Sequence, residues 1–355
     1  MKTPLIFSLL ASATLVAACG EPSDKPTEVK DLRVLAVAAE PPEVLFDRTA
    51  GWSAPQVTFT ALVDDPRGGA PATFAWRFCP VDSAEACTNF PALRDQAPQP
   101  LRPMLDALFA QAMTGTSTPA ADKGIGAQDV APFASAWPAE LFTYHLDASA
   151  MGLGNGAWPS AVLTVNAGPQ TVTVQKRVTL NALDLSQWNP ELSTTFGFRV
   201  CEANAPVPGC LAVRPRTPNQ NPQITSVSVA RGSTAGLPFA PVDGALVMRA
   251  KEKVRLLPTL SEGAFEPYQS IESALQDSRL EIIETKEQPV VSWFATAGAL
   301  GSDRTAAALT KTFDNVFTAP DVPPAATGGM VSLWMVVRDL RGGTGWRQMS
   351  IQVLP

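Results

Sequence analysis

Proline limits this chain more than any other residue. It fills 33 of 355 positions, about one in eleven and roughly twice the average usage. Each ring removes a backbone donor and clashes with the preceding turn, so long helices are disfavoured. Between the prolines run short apolar/polar alternations closed by turn clusters, which is the pattern of strands. Residues 57–63 (VTFTALV) alternate with period two and stop at Asp64-Asp65-Pro66-Arg67-Gly68-Gly69. Hydrophobic residues make up 45% and charged residues 17%, enough apolar material to build cores and unlike a disordered acidic tail.

Strands are expected at 31–39, 57–63, 73–79, 161–167, 171–180 and 195–201, interrupted by an insert at about 92–159. In the insert, Pro103 suits the first turn of a helix, with Leu101, Leu105, Leu108 and Ala112 on one face. Residues 215–222 (PRTPNQNP) are polar and proline-punctuated, and they mark the domain boundary. A second strand series follows at 223–230, 254–260, 279–286, 290–296, 308–317, 330–338 and 347–354, with a short helix or loop at 265–276. The fold expectation is all-β, two sandwich domains in tandem over 31–217 and 218–355, the first enlarged by a partly helical insert.

The strands also carry a resemblance. Val290-Val291-Ser292-Trp293-Phe294-Ala295-Thr296-Ala297-Gly298 resembles the Trp-bearing strand of bacterial Ig-like and PKD-like domains. Leu333 to Asp339, followed by Arg341-Gly342-Gly343, resembles their closing hairpin. In the first domain, 75–79 (AWRFC) and 196–201 form a diverged version, and the likeness spans about half of the chain after residue 18. It implies an Ig-like fold and says little about function, because such sandwiches host many roles.

At the N-terminus, one lysine precedes an apolar stretch at 4–16, too short to cross a bilayer and suited to a secretory signal over 1–18. The following Val16-Ala17-Ala18-Cys19 resembles the lipobox of bacterial lipoproteins. That resemblance implies cleavage before Cys19, acylation of its thiol and new amine with palmitate-type chains, and membrane attachment. Two or three chains hold where one is marginal. Gly20 rather than Asp after the cysteine implies forwarding to the outer membrane, with the facing side open. Residues 20–30 (GEPSDKPTEVK) read as an extended tether. Lipobox and paired sandwiches together resemble envelope lipoproteins of myxobacteria.

Cys79, Cys87, Cys201 and Cys210 form an even set in an exported chain, which reads as two disulfides out of three possible pairings. Cys79 and Cys201 each end a strand. As antiparallel neighbours those strands would place the two cysteines at opposite edges, too far for a bridge. The favoured pairing is therefore Cys79–Cys87 and Cys201–Cys210, each clipping the hairpin after its strand. A four-thiolate zinc site lacks the tight spacing it needs.

Chemistry is thin elsewhere. The net charge of −6 gives no basic excess, so nucleic acid is not an expected partner. His145 is the only histidine, lying among apolar residues, and excludes multi-His metal sites. Gly232 to Gly236 has Thr234 where a nucleophile elbow has serine, and Gly152, Gly154 and Gly156 lack a phosphate-loop context. Asp64, Asp65 and Asp339 sit in turns, where calcium competes with ordinary turn bonding. Trp52, Trp137, Trp158 and Trp188 lie outside the strands. They are suited to stacking on a sugar or peptide, or to plugging the insert onto the sandwich. No metal or cofactor is implied. The functional expectation is a non-catalytic envelope lipoprotein, a structural or recognition module for a protein or glycan. The alternatives are a hydrolase using insert carboxylates such as Asp129 and Glu140, or an accessory subunit of an envelope machine.

Overall fold

A computed structural model of the chain describes residues 25–47, 57–68, 72–79, 102, 125–130, 160–188, 199–204, 208–273, 280–310 and 312–355. Strands dominate these residues, and they form seven sheets. The all-β expectation holds.

The largest sheets stack in layers, and burial explains the order. One sheet runs β12-β11-β14-β20-β18, made of Ala240–Pro241, Ile224–Arg231, Lys253–Leu260, Asn315–Thr318 and Ala299–Leu300. Against it lies β13-β22-β21-β17-β19, made of Leu246–Arg249, Thr344–Leu354, Met330–Arg338, Val290–Ala295 and Arg304–Thr305. Their facing side chains form one core that includes Val227, Leu256 and Phe317 on one sheet and Trp293, Leu333, Met335 and Ile351 on the other. Trp293 is fully buried and donates its indole N–H to Thr305 Oγ1 at 2.9 Å.

β21 reads Leu333-Trp334-Met335-Val336-Val337, an unbroken apolar run with every residue buried. A half-exposed strand would alternate, so this strand must be covered on both faces. Its second face, through Trp334 and Val336, meets Leu35, Ala36 and Leu62 of the N-terminal half, with Phe294 and Trp346 alongside. Leu35 and Ala36 belong to β1 (Arg33–Glu40) and Leu62 to β3 (Val57–Asp64), which pair in the sheet β1-β3-β5, β5 being Ile125–Val130. Leu35 is the extra residue of a bulge, which lets it and Ala36 share one face.

The far face of that sheet packs on a fourth one, β4-β6-β7 (Thr73–Cys79, Ser160–Ala167, Gln170–Arg177). Ala61 and Val63 meet Leu163 and Val165, and the Phe59 and Trp76 rings lie 5.6 Å apart. The two halves therefore form a continuous four-layer stack.

Several local expectations are corrected. Within the short helix or loop expected at 265–276, the described residues hold a strand: β15 (Pro267–Ser273) pairs antiparallel with β16 (Leu280–Lys286). The strand expected at 308–317 is a helical turn, Ala307–Thr310, followed by β20 alone. Alanine and leucine favour the turn, and Thr310 closes it through its hydroxyl on the Ala306 carbonyl at 3.0 Å. Cys201 and Cys210 are bonded, with Cα atoms 5.9 Å apart. The link does not clip a hairpin, however: β9 (Arg199–Glu202) and β10 (Cys210–Val213) run parallel. The side chain of Cys79, and Cys87, lie outside the described residues.

Candidate functional site

The β21–β22 turn is the most chemically loaded part of the described structure. It follows Arg338 and contains Asp339-Leu340-Arg341-Gly342-Gly343. Asp339 is fully buried. One of its oxygens accepts the backbone N–H groups of Arg341 and Gly343 at 2.8 and 2.9 Å. The other accepts the Asn219 side-chain amide at 3.0 Å. The aspartate thus shapes the turn and ties it to the segment between the halves. Turn bonding, not cation binding, occupies this carboxylate.

That shape aims Arg341 into a pocket built from three separate parts of the chain. From the N-terminal half comes Glu43, on β2 (Glu43–Phe46), which pairs parallel with β8 (Thr179–Ala182). Arg341 Nη2 reaches Glu43 at 2.7 Å, although Glu43 is only 2% exposed. Glu43 also accepts the Asn181 side-chain amide and, at 2.9 Å, the Asn219 backbone N–H. From the C-terminal half come Glu287 at 3.0 Å and Glu266 at 3.7 Å, both facing Nη1. The guanidinium also lies 4.8 Å over the Tyr268 ring. Only arginine supplies a planar fork able to serve several carboxylates and stack on a ring at once.

The electrostatics follow from burial. Burial, reinforced by the charge of Asp339, pushes the Glu287 carboxyl up to about 7 despite the nearby Arg341. Glu266 is raised for the same leading reason. Burial lowers Arg216, with Glu43 opposing the shift. A buried pair of this kind is a poor source of net stability, yet losing one partner strands the other.

Residues 215–222, expected to be a polar link, serve as a strap across this turn. Asn219 is 2% exposed, and Asn221 accepts the Thr344 N–H at 2.8 Å while donating to Ala39 O at 2.7 Å. The strap runs so close to the hairpin that side chains are barred beneath it. A Cβ on Gly345 would lie 1.9 Å from Pro222 O, and one on Gly343 would lie 1.9 Å from Asp339 Oδ2. Gly343 was legible as part of a closing hairpin, but the packing role of neither glycine was.

A cationic pair lies on the other side of the same turn. Lys176 occupies an inward position of β7, in phase with Val172 and Val174. Its ammonium donates to the Gly342 carbonyl and, at 3.0 Å, to Thr344 Oγ1. Arg338 donates to Ser292 Oγ at 3.2 Å and to Leu35 O at 3.1 Å.

The residues singled out from sequence fare unevenly. Cys19, Cys87, Trp52, Trp137, Trp158, His145, Glu140 and the glycines Gly152, Gly154 and Gly156 lie outside the described residues. Trp188 ends a short helical turn, Leu185–Trp188, and Asp129 lies on β5; their side chains are outside the description. Asp65 holds Arg67 at 2.7 Å, which lowers its carboxyl. Asp64 is raised to about 6 by burial and by Asp65. Thr234 lies in a loop. Among the described residues no group of three or more His, Cys, Asp or Glu is arranged to hold a metal ion.

Sequence reasoning missed Glu43, Asn181, Asn219, Glu266, Glu287 and Arg341 as a set. They come from six places along the chain, and no spacing announces their meeting. Neither a protein-family model nor a curated protein matches this sequence.

Proposed function

We propose that this chain is a lipid-anchored envelope protein with a non-catalytic role, in which two diverged Ig-like sandwiches form one rigid body that presents its edges and loops to a protein or glycan. The observation that carries the reading is the commitment of the Arg341 cluster. Its charged groups bind one another across the halves, the chemistry of a lock. Signal and lipobox residues up to Cys19 supply the anchor. Residues 25–30 lie against the second half, where Val29 N–H donates to Ala295 O and Ala295 N–H donates to Thr27 O, both at 2.9 Å. Residues 20–24, five residues that reach at most about 17 Å fully extended, separate Cys19 from that contact. The body would stand close to the bilayer in a restricted orientation, which suits a structural or recognition module.

The test is metabolic labelling with radioactive palmitate, together with protease shaving and crosslinking of intact cells. The wild type should carry label and fractionate with membranes, and Cys19→Ala should lose both properties. Equal labelling of the two would overturn the anchor. Crosslinks to stable companions would identify the protein as a subunit of a larger assembly, and sugar-dependent release would mark a glycan partner.

A further inference from the structure

The space between the halves is lined by two cations whose hydrogen-bond acceptors are neutral oxygens. A cleft of about 430 Å³ opens between β1, β7 and the β21–β22 turn, lined in part by Val34, Val37, Val174, Lys176, Arg338 and Leu340. Its size falls within the range of about 300–1,000 Å³ usual for small-molecule sites. Past Arg338 and Leu340, which line both spaces, a second depression of about 310 Å³ continues over Phe294, Pro26 and Arg304. The two form one groove, apolar along much of its wall and cationic at its centre.

Among the described residues no carboxylate lines the first cleft, and Asp303 is the one acidic residue lining the second. Asp339, whose charge acts on Lys176, has both oxygens hydrogen-bonded by Arg341, Gly343 and Asn219 on the strap side. Lys176 is held by two neutral oxygens and keeps one ammonium proton free of them. Arg338 is likewise held by neutral oxygens, Ser292 Oγ and Leu35 O, which leaves three of its five N–H groups. Burial lowers the Lys176 ammonium to about 8, with the charge of Asp339 opposing the shift and that of Arg338 adding to it. Arg304 also bears on Arg338. Both cations face the cleft, and an incoming anion would be attracted to the pair. Leu340 is 72% exposed with a left-handed φ of 71°, an apolar side chain held over the groove by the turn.

We propose that this groove binds an amphiphilic anion, its carboxylate or phosphate head between Lys176 and Arg338 and its apolar tail running past Leu340 towards Phe294. The proposal does not depend on the lipid anchor and stands or falls separately from it. Spare donors from one ammonium and one guanidinium provide charge-assisted bonds to the head. Apolar walls from three elements take up the tail.

The experiment uses the full chain and decanoate labelled with ¹³C at its carboxyl, observed by NMR. A saturable bound signal at one site per chain is expected. Lys176→Met and Arg338→Met should each weaken binding at least tenfold. Because either change could disturb the fold, Leu340→Glu provides an independent test: it alters an exposed side chain, places negative charge beside the head site, and should weaken binding by a similar factor. Arg214→Gln, which removes an exposed cation elsewhere, should leave it unchanged. Decanol should bind at least tenfold more weakly than decanoate, and inorganic phosphate should compete only at far higher concentration. No saturable decanoate signal, equal binding of decanol, or wild-type binding by all three groove variants would overturn the proposal.

Discussion

Replacing Arg341 with Met removes the guanidinium while keeping most of the apolar stem. Two carboxylates that are almost wholly buried, Glu43 and Glu287, then lose their cation at 2.7 and 3.0 Å. Glu43 retains the amides of Asn181 and Asn219. Glu287 retains the weaker Glu266 N–H at 3.3 Å and is the more exposed to the loss energetically. Removing one partner of a buried pair costs about 3–5 kcal/mol, whereas an exposed pair contributes about 0–1. We therefore expect Arg341→Met to lower the unfolding free energy by about 4 kcal/mol at pH 7.5, measured by urea denaturation with tryptophan fluorescence. The deficit should shrink as pH falls towards 5, because the stranded carboxylates can then protonate. Adding Glu287→Gln to Arg341→Met should recover part of the loss. A deficit below about 1 kcal/mol, or one that is the same at pH 5 and pH 7.5, would refute the reasoning.

Three further outcomes follow from the same structure. Glu287 has its folded carboxyl raised from the ordinary 4.5 to about 7, so the folded state holds a proton that the unfolded state releases. Its contribution is most favourable below pH 4.5 and is lost as pH rises towards 7; Glu287→Gln should flatten that decline in urea titrations between pH 5 and 8. Gly345→Ala places a methyl 1.9 Å from Pro222 O, so the strap must move; a loss of about 1–3 kcal/mol and faster proteolysis within residues 215–222 are expected. Replacing Cys201 and Cys210 together with Ala reopens a short loop and should cost about 2.5 kcal/mol in the same denaturation assay.

Much of the architecture was legible because apolar periodicity reports burial directly. The alternation at 57–63 gave β3, and the run Leu333 to Val337 falls within the strand expected at 330–338. β15 was harder to see: Gln269, Ser270 and Glu272 give it little apolar signal, and its strand form comes from in-register pairing with β16. The Cys201–Cys210 pairing was reached from sequence, but the parallel course of β9 and β10 was not, since spacing does not encode strand direction. The central cluster was the least legible. A lone glutamate at 43 or 287 looks like any solvated charge until the fold brings both to Arg341. The inward phase of Lys176 after Val172 and Val174 was a signal that the sequence reading passed over.

The central claim is that the halves form one body closed by the strap and the β21–β22 turn. Amide hydrogen exchange, read by mass spectrometry on peptides covering 215–222 and 338–345, tests it most directly. If the claim is right, the N–H groups of Asn219, Gly343 and Thr344 exchange only through global unfolding, as slowly as those of β21. Exchange of these amides within seconds, while β21 remains protected, would show that the halves separate freely and would contradict the account.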